Sequence, residues 1–215
     1  MSDLSHRAVR SIGKRAIDLV VASTALVAVA PVLIAVGAAL YVTAHRPVLF
    51  FQDRSGLHGR IFRIFKFRTM TDARDSNGAL LPDAARLTRL GALIRKLSID
   101  ELPQLINVLR GEMTLVGPRP LFARYWERYS NQQARRHEVK PGITGWAQIR
   151  GRNAISWEEK FDLDVWYVDN WSAPLDMKIL ATTAARVLMR SGISREGQAT
   201  MEEFLGSGTT SRPRG

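Results

Sequence analysis

The chain has 215 residues, 46% of them hydrophobic and 24% charged, which suffices for a domain with a true core and excludes a disordered polypeptide. Its 31 Lys and Arg against 20 Asp and Glu give a net charge of +11, which calls for a polyanionic partner: nucleic acid, an anionic membrane surface or a phosphorylated substrate. Cysteine is absent, which removes disulfides and thiolate metal sites, and the four histidines (His6, His45, His58, His137) lack ligand spacing.

Residues 1–18 place Arg7, Arg10, Lys14 and Arg15 among apolar Ala8, Val9, Ile12, Ala16 and Ile17, the pattern of a basic amphipathic helix lying on a membrane surface. From Leu19 to Ala44 no residue is charged. As a straight helix this run reaches roughly 39 Å, enough to cross a bilayer core of about 30 Å. Pro31 falls near its midpoint, where it removes a backbone hydrogen bond and kinks or breaks the helix. Basic residues flank both ends, Arg7 to Arg15 before and Arg46, Arg54, Arg60, Arg63, Lys66 and Arg68 after. A single span cannot put both flanks in the cytoplasm, whereas a re-entrant helix-break-helix hairpin can. From these residues alone the kinked span and the hairpin stand about even.

Residues 47–70 predict a two-stranded unit: Val48–Gln52, a turn at Ser55–Gly59, then alternating apolar and basic residues over Ile61–Arg68. A polar loop follows over 71–83. Leu87, Leu90, Leu93, Ile94 and Leu97 recur at helical spacing. Next come Ser98, Ile99, Asp100 and Glu101, two adjacent carboxylates in a basic chain. Ser98 and Glu101 have capping-box spacing, and the predicted helix runs on through Pro103, Leu105 and Leu109 to stop at Gly111. The pair therefore has two readings, a helix cap favoured by the helix dipole or a catalytic dyad.

In Gly117-Pro118-Arg119-Pro120, two prolines stiffen a loop around one guanidinium, a geometry suited to bidentate phosphate binding. Residues 121–138, with Tyr125, Trp126, Tyr129 and four arginines, predict an interfacial helix. Lys140–Ile149 predicts a turn into a strand-like run, with Gly142 and Gly145 letting backbone approach a ligand and Trp146 able to stack on a ring. Two further helices follow, at 157–168 and at 174–190 with Gly192 as stop, and the tail from Gly206 has a disordered composition.

Along almost its whole length the chain resembles the bacterial monotopic phosphoglycosyl transferases, the polyprenyl-phosphate sugar-phosphate transferase family, in a small form similar to the bacillosamine phosphotransferases. The matching stretches are Lys14-Arg15 with Asp18 and the proline-broken apolar helix, Phe65–Met70, Leu97–Gln104, Val116–Pro120, Lys140–Gln148 and Gly151-Arg152-Asn153. Singly each is weak; in this order they are specific. The resemblance implies a mixed, mostly helical α/β fold with interfacial amphipathic helices and a short β unit. It divides the chain into a membrane segment (1–44) with a re-entrant hairpin broken at Pro31, a cytoplasmic catalytic domain (45–205) and a disordered tail (206–215). One departure is Ala30, where many relatives have Ser.

The activity implied is transfer of a phospho-sugar from a UDP-sugar to undecaprenyl phosphate in the inner membrane, at its cytoplasmic face and among anionic lipids, with release of UMP. Asp100 is implied as nucleophile and Mg2+ ligand, Glu101 as its catalytic neighbour, and Arg119, Lys66 and Arg95 as phosphate-binding positions. The sugar implied is an N-acetylated amino-deoxy sugar such as diacetylated bacillosamine. Carboxylate, Mg2+ and arginine make chemical sense together, because an anionic nucleophile needs neutralising charge to approach a diphosphate. Two other readings compete. A membrane-anchored nucleic-acid-binding protein gives Asp100 and Glu101 no role, and no nucleic acid is expected. A non-catalytic scaffold of a glycan assembly would leave the site idle.

Overall fold

A computed structural model describes residues 2–43, 46–151, 155–189 and 203–206. It is a mixed, mostly helical α/β fold. Its first element, α1 (Ser2–Val42), is assigned as one helix of 41 residues with Pro31 inside it. Residues 12–42 of α1 form the one described segment long and apolar enough to cross a membrane. One stripe of α1 docks on the rest of the chain. Arg15 donates from Nη1 to the Val108 carbonyl at 2.6 Å and from Nη2 to that of Leu109 at 2.9 Å. Buried Asp18 accepts from the Thr114 hydroxyl at 2.5 Å and the Leu115 N–H at 3.1 Å. Further along, Ala22 joins the main core and Leu40 packs with Phe67 and Ile94. The other faces expose Val20, Val27, Ile34 and Val42.

The predicted two-stranded unit is present as β1 (Leu49–Ser55) and β2 (Ile61–Phe67), antiparallel, with Phe50 opposite Lys66 and Arg54 opposite Phe62. The turn between them holds His58 and Gly59 at positive φ, 52° and 75°. Short α2 (Asp83–Arg86) precedes α3 (Arg89–Lys96), which starts on Thr88, whose side chain accepts the Gly91 N–H. Leu87, expected inside this helix, instead pairs with Met70 in a β-bridge just before it.

The single helix expected after Ser98 is two elements. A 3-10 turn covers Ile99–Gln104, followed by α4 (Leu105–Arg110), which stops as predicted at Gly111 with φ 81°. Strand β3 (Thr114–Val116) pairs in parallel with β4 (Gly142–Thr144). The helix expected over 121–138 is a correction: a 3-10 turn at Ala123–Arg128, α5 (Asn131–Ala134) and another 3-10 turn at Arg135–His137 replace it. Here Tyr125, Arg136 and His137 are buried, so the segment folds inward around them and loses a continuous helical period.

The predicted strand-like run ends at Thr144 and becomes α6 (Trp146–Arg150). Trp146 is buried and stacks on Trp166 at 5.0 Å, so it is occupied by the core and not by a ligand ring. The glycines beside it serve chain packing. A Cβ added to Gly142 would lie 2.1 Å from the Gly117 nitrogen, and one on Gly145 would lie 2.2 Å from the Gly117 oxygen. Helices α7 (Trp157–Asn170) and α8 (Ala173–Leu188) start on Ser156 and Ser172, whose side chains accept the Glu159 and Leu175 N–H groups. Arg152, Asn153, Gly192 and the tail beyond Gly206 lie outside the described residues.

The main core joins α1, β2, α4, β3, α6, α7 and α8 around Val108, Met113, Val116, Tyr167 and Ile179. A second, aromatic cluster of Tyr125, Phe161 and Phe204 lies under the loop that follows β3.

Candidate active site

Four chain segments converge on the acid pair. The 3-10 turn supplies Asp100 and Glu101, β2 supplies Lys66, α3 supplies Arg95, and the Pro118–Pro120 loop supplies Arg119. Lys66 Nζ donates to Glu101 Oε1 at 2.7 Å. Arg119 grips the same carboxylate with both ends of its fork, Nη1 to Oε2 at 3.2 Å and Nη2 to Oε1. Lys66 reaches the pair because β alternation points it inward, while neighbouring Arg63 faces outward and pairs with Asp53 at the surface.

The capping box expected between Ser98 and Glu101 does not form. Ser98 makes no side-chain cap, and the Glu101 carboxylate is taken by the two cations, whose charge outweighs a backbone N–H as partner. Ser98 itself sits at φ 55° and ψ 22°, a left-handed conformation uncommon for a residue other than glycine. It turns the chain sharply between α3 and the acid turn.

The two carboxylates are therefore in different electrostatic states. Burial opposes ionisation of Glu101, but Arg119 and Lys66 outweigh it and hold this carboxyl well below the usual range. The Glu101 charge in turn raises the Arg119 guanidinium. Asp100 goes the other way. Burial and the neighbouring Glu101 charge push its carboxyl up, against Lys66, Arg95 and Arg119 pulling it down. The Asp100 carboxylate has no hydrogen bond or ion pair with another described residue, which leaves its oxygens available. Arg95 donates from Nε to the buried Thr69 hydroxyl at 2.8 Å, which directs its guanidinium within electrostatic reach of Asp100.

All five predicted polar site residues thus fall in one place, and Pro31 lies inside α1. Residue patterning missed the support behind Arg119. The Arg119 carbonyl accepts from Arg136 Nη2 at 2.7 Å, and Arg136 is itself paired with Asp164 at 2.7 and 3.0 Å, both side chains almost fully buried. Arg54 lies in the same region and feels both Arg119 and Glu101. One sequence signal pointed at the first pair: an Arg-rich segment at 121–138 and an acid-rich helix at 157–168 are complementary in charge.

Among the described residues no three His, Asp or Glu side chains cluster as a ready metal cage. The donor set still fits a hard, water-keeping cation such as Mg2+, which takes one or two carboxylates and completes its shell with water and substrate phosphate. Asp100 offers such a carboxylate, whereas Glu101 is already held by cations.

Residues 9–190 match the family described as "Bacterial sugar transferase". The chain is 59% identical over 198 residues to "Uncharacterized sugar transferase EpsL" of Bacillus subtilis (strain 168), covering 92% of this chain and 98% of that protein. It is 40% identical over 183 residues to "UDP-glucose:undecaprenyl-phosphate glucose-1-phosphate transferase" of Xanthomonas campestris pv. campestris, covering 80% of this chain and 38% of that one. With "UDP-N-acetylgalactosamine-undecaprenyl-phosphate N-acetylgalactosaminephosphotransferase" of Aeromonas hydrophila it shares 38% identity over 187 residues, 83% of this chain and 44% of the relative. The chain therefore spans less than half the length of these two named transferases. By this match and by the motifs gathered at Asp100 and Glu101, the chain belongs to the bacterial sugar transferase family, as a catalytic domain of the polyprenyl-phosphate sugar-phosphate transferase kind.

Proposed function

We propose that this protein moves a sugar phosphate from a UDP-sugar to undecaprenyl phosphate and releases UMP, as the first membrane step of a glycan assembly. The observation that carries this reading is the division of labour in the acid pair: Glu101 locked by Lys66 and Arg119, Asp100 unpaired beside the same cations. An Asp100 oxygen attacks the sugar-linked phosphorus, and the bond to the UMP oxygen breaks with its electron pair leaving on UMP. An oxygen of the polyprenyl phosphate then attacks the same phosphorus, and the acyl-phosphate bond breaks to restore the Asp100 carboxylate. Arg119, Lys66 and Arg95 hold the phosphoryl oxygens and offset charge that would repel an anionic nucleophile. Mg2+ held at Asp100 would supply further neutralisation of the diphosphate.

For the sugar, an N-acetylated amino-deoxy sugar remains the proposal, supported by the resemblance of the short chain to the bacillosamine phosphotransferases. For the membrane, a re-entrant α1 at the cytoplasmic face of the inner membrane, among anionic lipids, is supported by its docking. Arg15 and Asp18 near one end of the apolar run and Leu40 near the other all rest on the same globular body, as a segment that returns to its own side requires. Cysteines introduced by Ser2→Cys and Ser207→Cys, in a chain with none of its own, read this directly. Both should resist an impermeant maleimide in intact cells and react after lysis; labelling from outside at either end rules out the hairpin.

The deciding experiment is UMP release from a panel of UDP-sugars with Mg2+, with and without undecaprenyl phosphate, for the wild type and Asp100→Asn. A loss of about 1,000-fold or more in the variant at unchanged melting temperature is expected of a nucleophile. Wild-type protein that is folded in lipid and inactive on every donor would favour the scaffold reading.

A further inference from the structure

Arg54 is a half-buried cation that has no counter-ion among the described residues. It lies one residue from the end of β1 and forms a β-bridge with Phe122, while the next residue, Ser55, donates its N–H to the Leu121 carbonyl at 3.1 Å. This strand end therefore runs beside the chain that leaves Arg119. The Arg54 guanidinium sits 4.0 Å from the Phe122 ring centroid. Its Nη1 donates to the Pro120 carbonyl at a long 3.4 Å, and its Nη2 to Gln52 Oε1. Its Nε is buried with no hydrogen-bond partner.

Among the described residues no carboxylate lies within ion-pair distance of Arg54, although Arg119 has Glu101 and Arg136 has Asp164. Burial first, then the Arg119 charge, lowers the Arg54 guanidinium to about 10, so it stays charged at neutral pH. Keeping an unpaired charge in such a place is costly, and an arriving anion removes the cost. The local charge balance points the same way. Lys66, Arg95, Arg119 and Arg54 surround Asp100 and Glu101, and Lys160 adds a further cation within electrostatic reach of Arg119. This excess of positive charge suits a phosphate monoester, which carries close to two negative charges at neutral pH.

We propose that Arg54, held on Phe122 beside Arg119, forms a second oxyanion subsite that takes a phosphate monoester, either the phosphate of departing UMP or the head of the polyprenyl phosphate acceptor. The subsite rests on the transferase reading above and adds to it a residue that positions a second phosphate while Asp100 holds the first.

The test uses the full chain in lipid nanodiscs with Arg54→Gln and Arg54→Lys. KM is measured separately for the UDP-sugar and for undecaprenyl phosphate, each with the other substrate saturating. Removing a charged fork from a phosphate is expected to raise one KM by about 10-fold or more, with the other within about twofold. A rise on the donor side assigns the subsite to the nucleotide, and a rise on the lipid side assigns it to the acceptor. A lower melting temperature with both KM values unchanged overturns the proposal and leaves Arg54 as a clip on the 120–122 chain.

Should Arg54→Gln fail to fold, Arg54→Lys decides, because it keeps the charge and loses the fork. A rise of about threefold in the same KM supports the subsite, and unchanged KM values overturn it. Titration of UMP and of inorganic phosphate separates this result from the fate of the transferase reading. A wild type that turns over no UDP-sugar, yet binds either ligand more tightly than Arg54→Lys, loses the transferase reading and keeps the subsite. Equal affinities of wild type and variant for both ligands remove the subsite.

Discussion

The Nζ of Lys66 lies 2.7 Å from Oε1 of Glu101, so the acid next to the proposed nucleophile is already neutralised by a strand 35 residues away. This ion pair, with the Arg119 fork on the same carboxylate, separates two chemically equivalent neighbours into an anchor and a reactive group.

Replacing Glu101 by Gln should move the acid limb of the pH–rate profile. Burial and then the Glu101 charge hold the Asp100 carboxyl above its ordinary value, so activity that needs ionised Asp100 fails on the acid side earlier than usual. Removing the Glu101 charge lets Asp100 ionise more readily and shifts that limb to lower pH, by up to about one unit. At the optimum, kcat should fall about 10- to 100-fold because Arg119 and Lys66 lose their anchor. A limb that stays in place would mean that Asp100 does not control it.

Asp164→Asn should lower stability by about 3 kcal/mol, because it leaves Arg136 buried without its counter-charge. An Arg136→Met and Asp164→Met double variant should recover most of that loss in urea unfolding. Its kcat should still fall, since the Arg119 carbonyl loses its donor.

His137 should make the fold acid-sensitive well above the carboxylate range. Burial, then Arg136, lowers the imidazole from 6.5 to about 3, against a hydrogen bond with the Gly56 carbonyl. The unfolded chain therefore takes a proton that the folded chain refuses between these values. This contribution is complete above pH 6.5 and falls by about 1.4 kcal/mol per pH unit below it. His137→Asn keeps a donor for Gly56 and does not titrate. Its urea-unfolding free energy should differ less between pH 7.5 and 5 than that of the wild type.

Asp18→Ala should loosen α1 from the domain. It strips the Thr114 hydroxyl and Leu115 N–H of their acceptor in a buried setting, a loss of about 2–4 kcal/mol. A lowered melting temperature in detergent, with Asp18→Asn intermediate, is the expected result. Equal melting temperatures would mean that the Arg15 bonds to the Val108 and Leu109 carbonyls and an ion pair of Lys14 with Asp176 hold the helix without it.

Features set by near neighbours were legible in the residues alone. Alternation gave the hairpin of β1 and β2, helical spacing gave α8, and Gly111 at φ 81° ends α4. These depend on contacts a few residues apart, where spacing is the cause of structure. The motifs, read as a family resemblance, also named the five residues that meet at the site. The sequence by itself thus determined the local elements and the identities of the site residues. Only the tertiary structure decided that Glu101 pairs with cations 35 and 18 residues away and does not cap its own helix. It also decided that residues 121–138 fold inward around Arg136, and that Gly117, Gly142 and Gly145 press backbones together instead of admitting a ligand. For the first two the physical reason is the same: a side chain bonds the strongest partner that folding brings within reach, and in a buried site that partner is an opposite charge from a distant segment, which no local spacing encodes. For the glycines it is the close approach of two backbones from distant segments, which leaves no room for a Cβ.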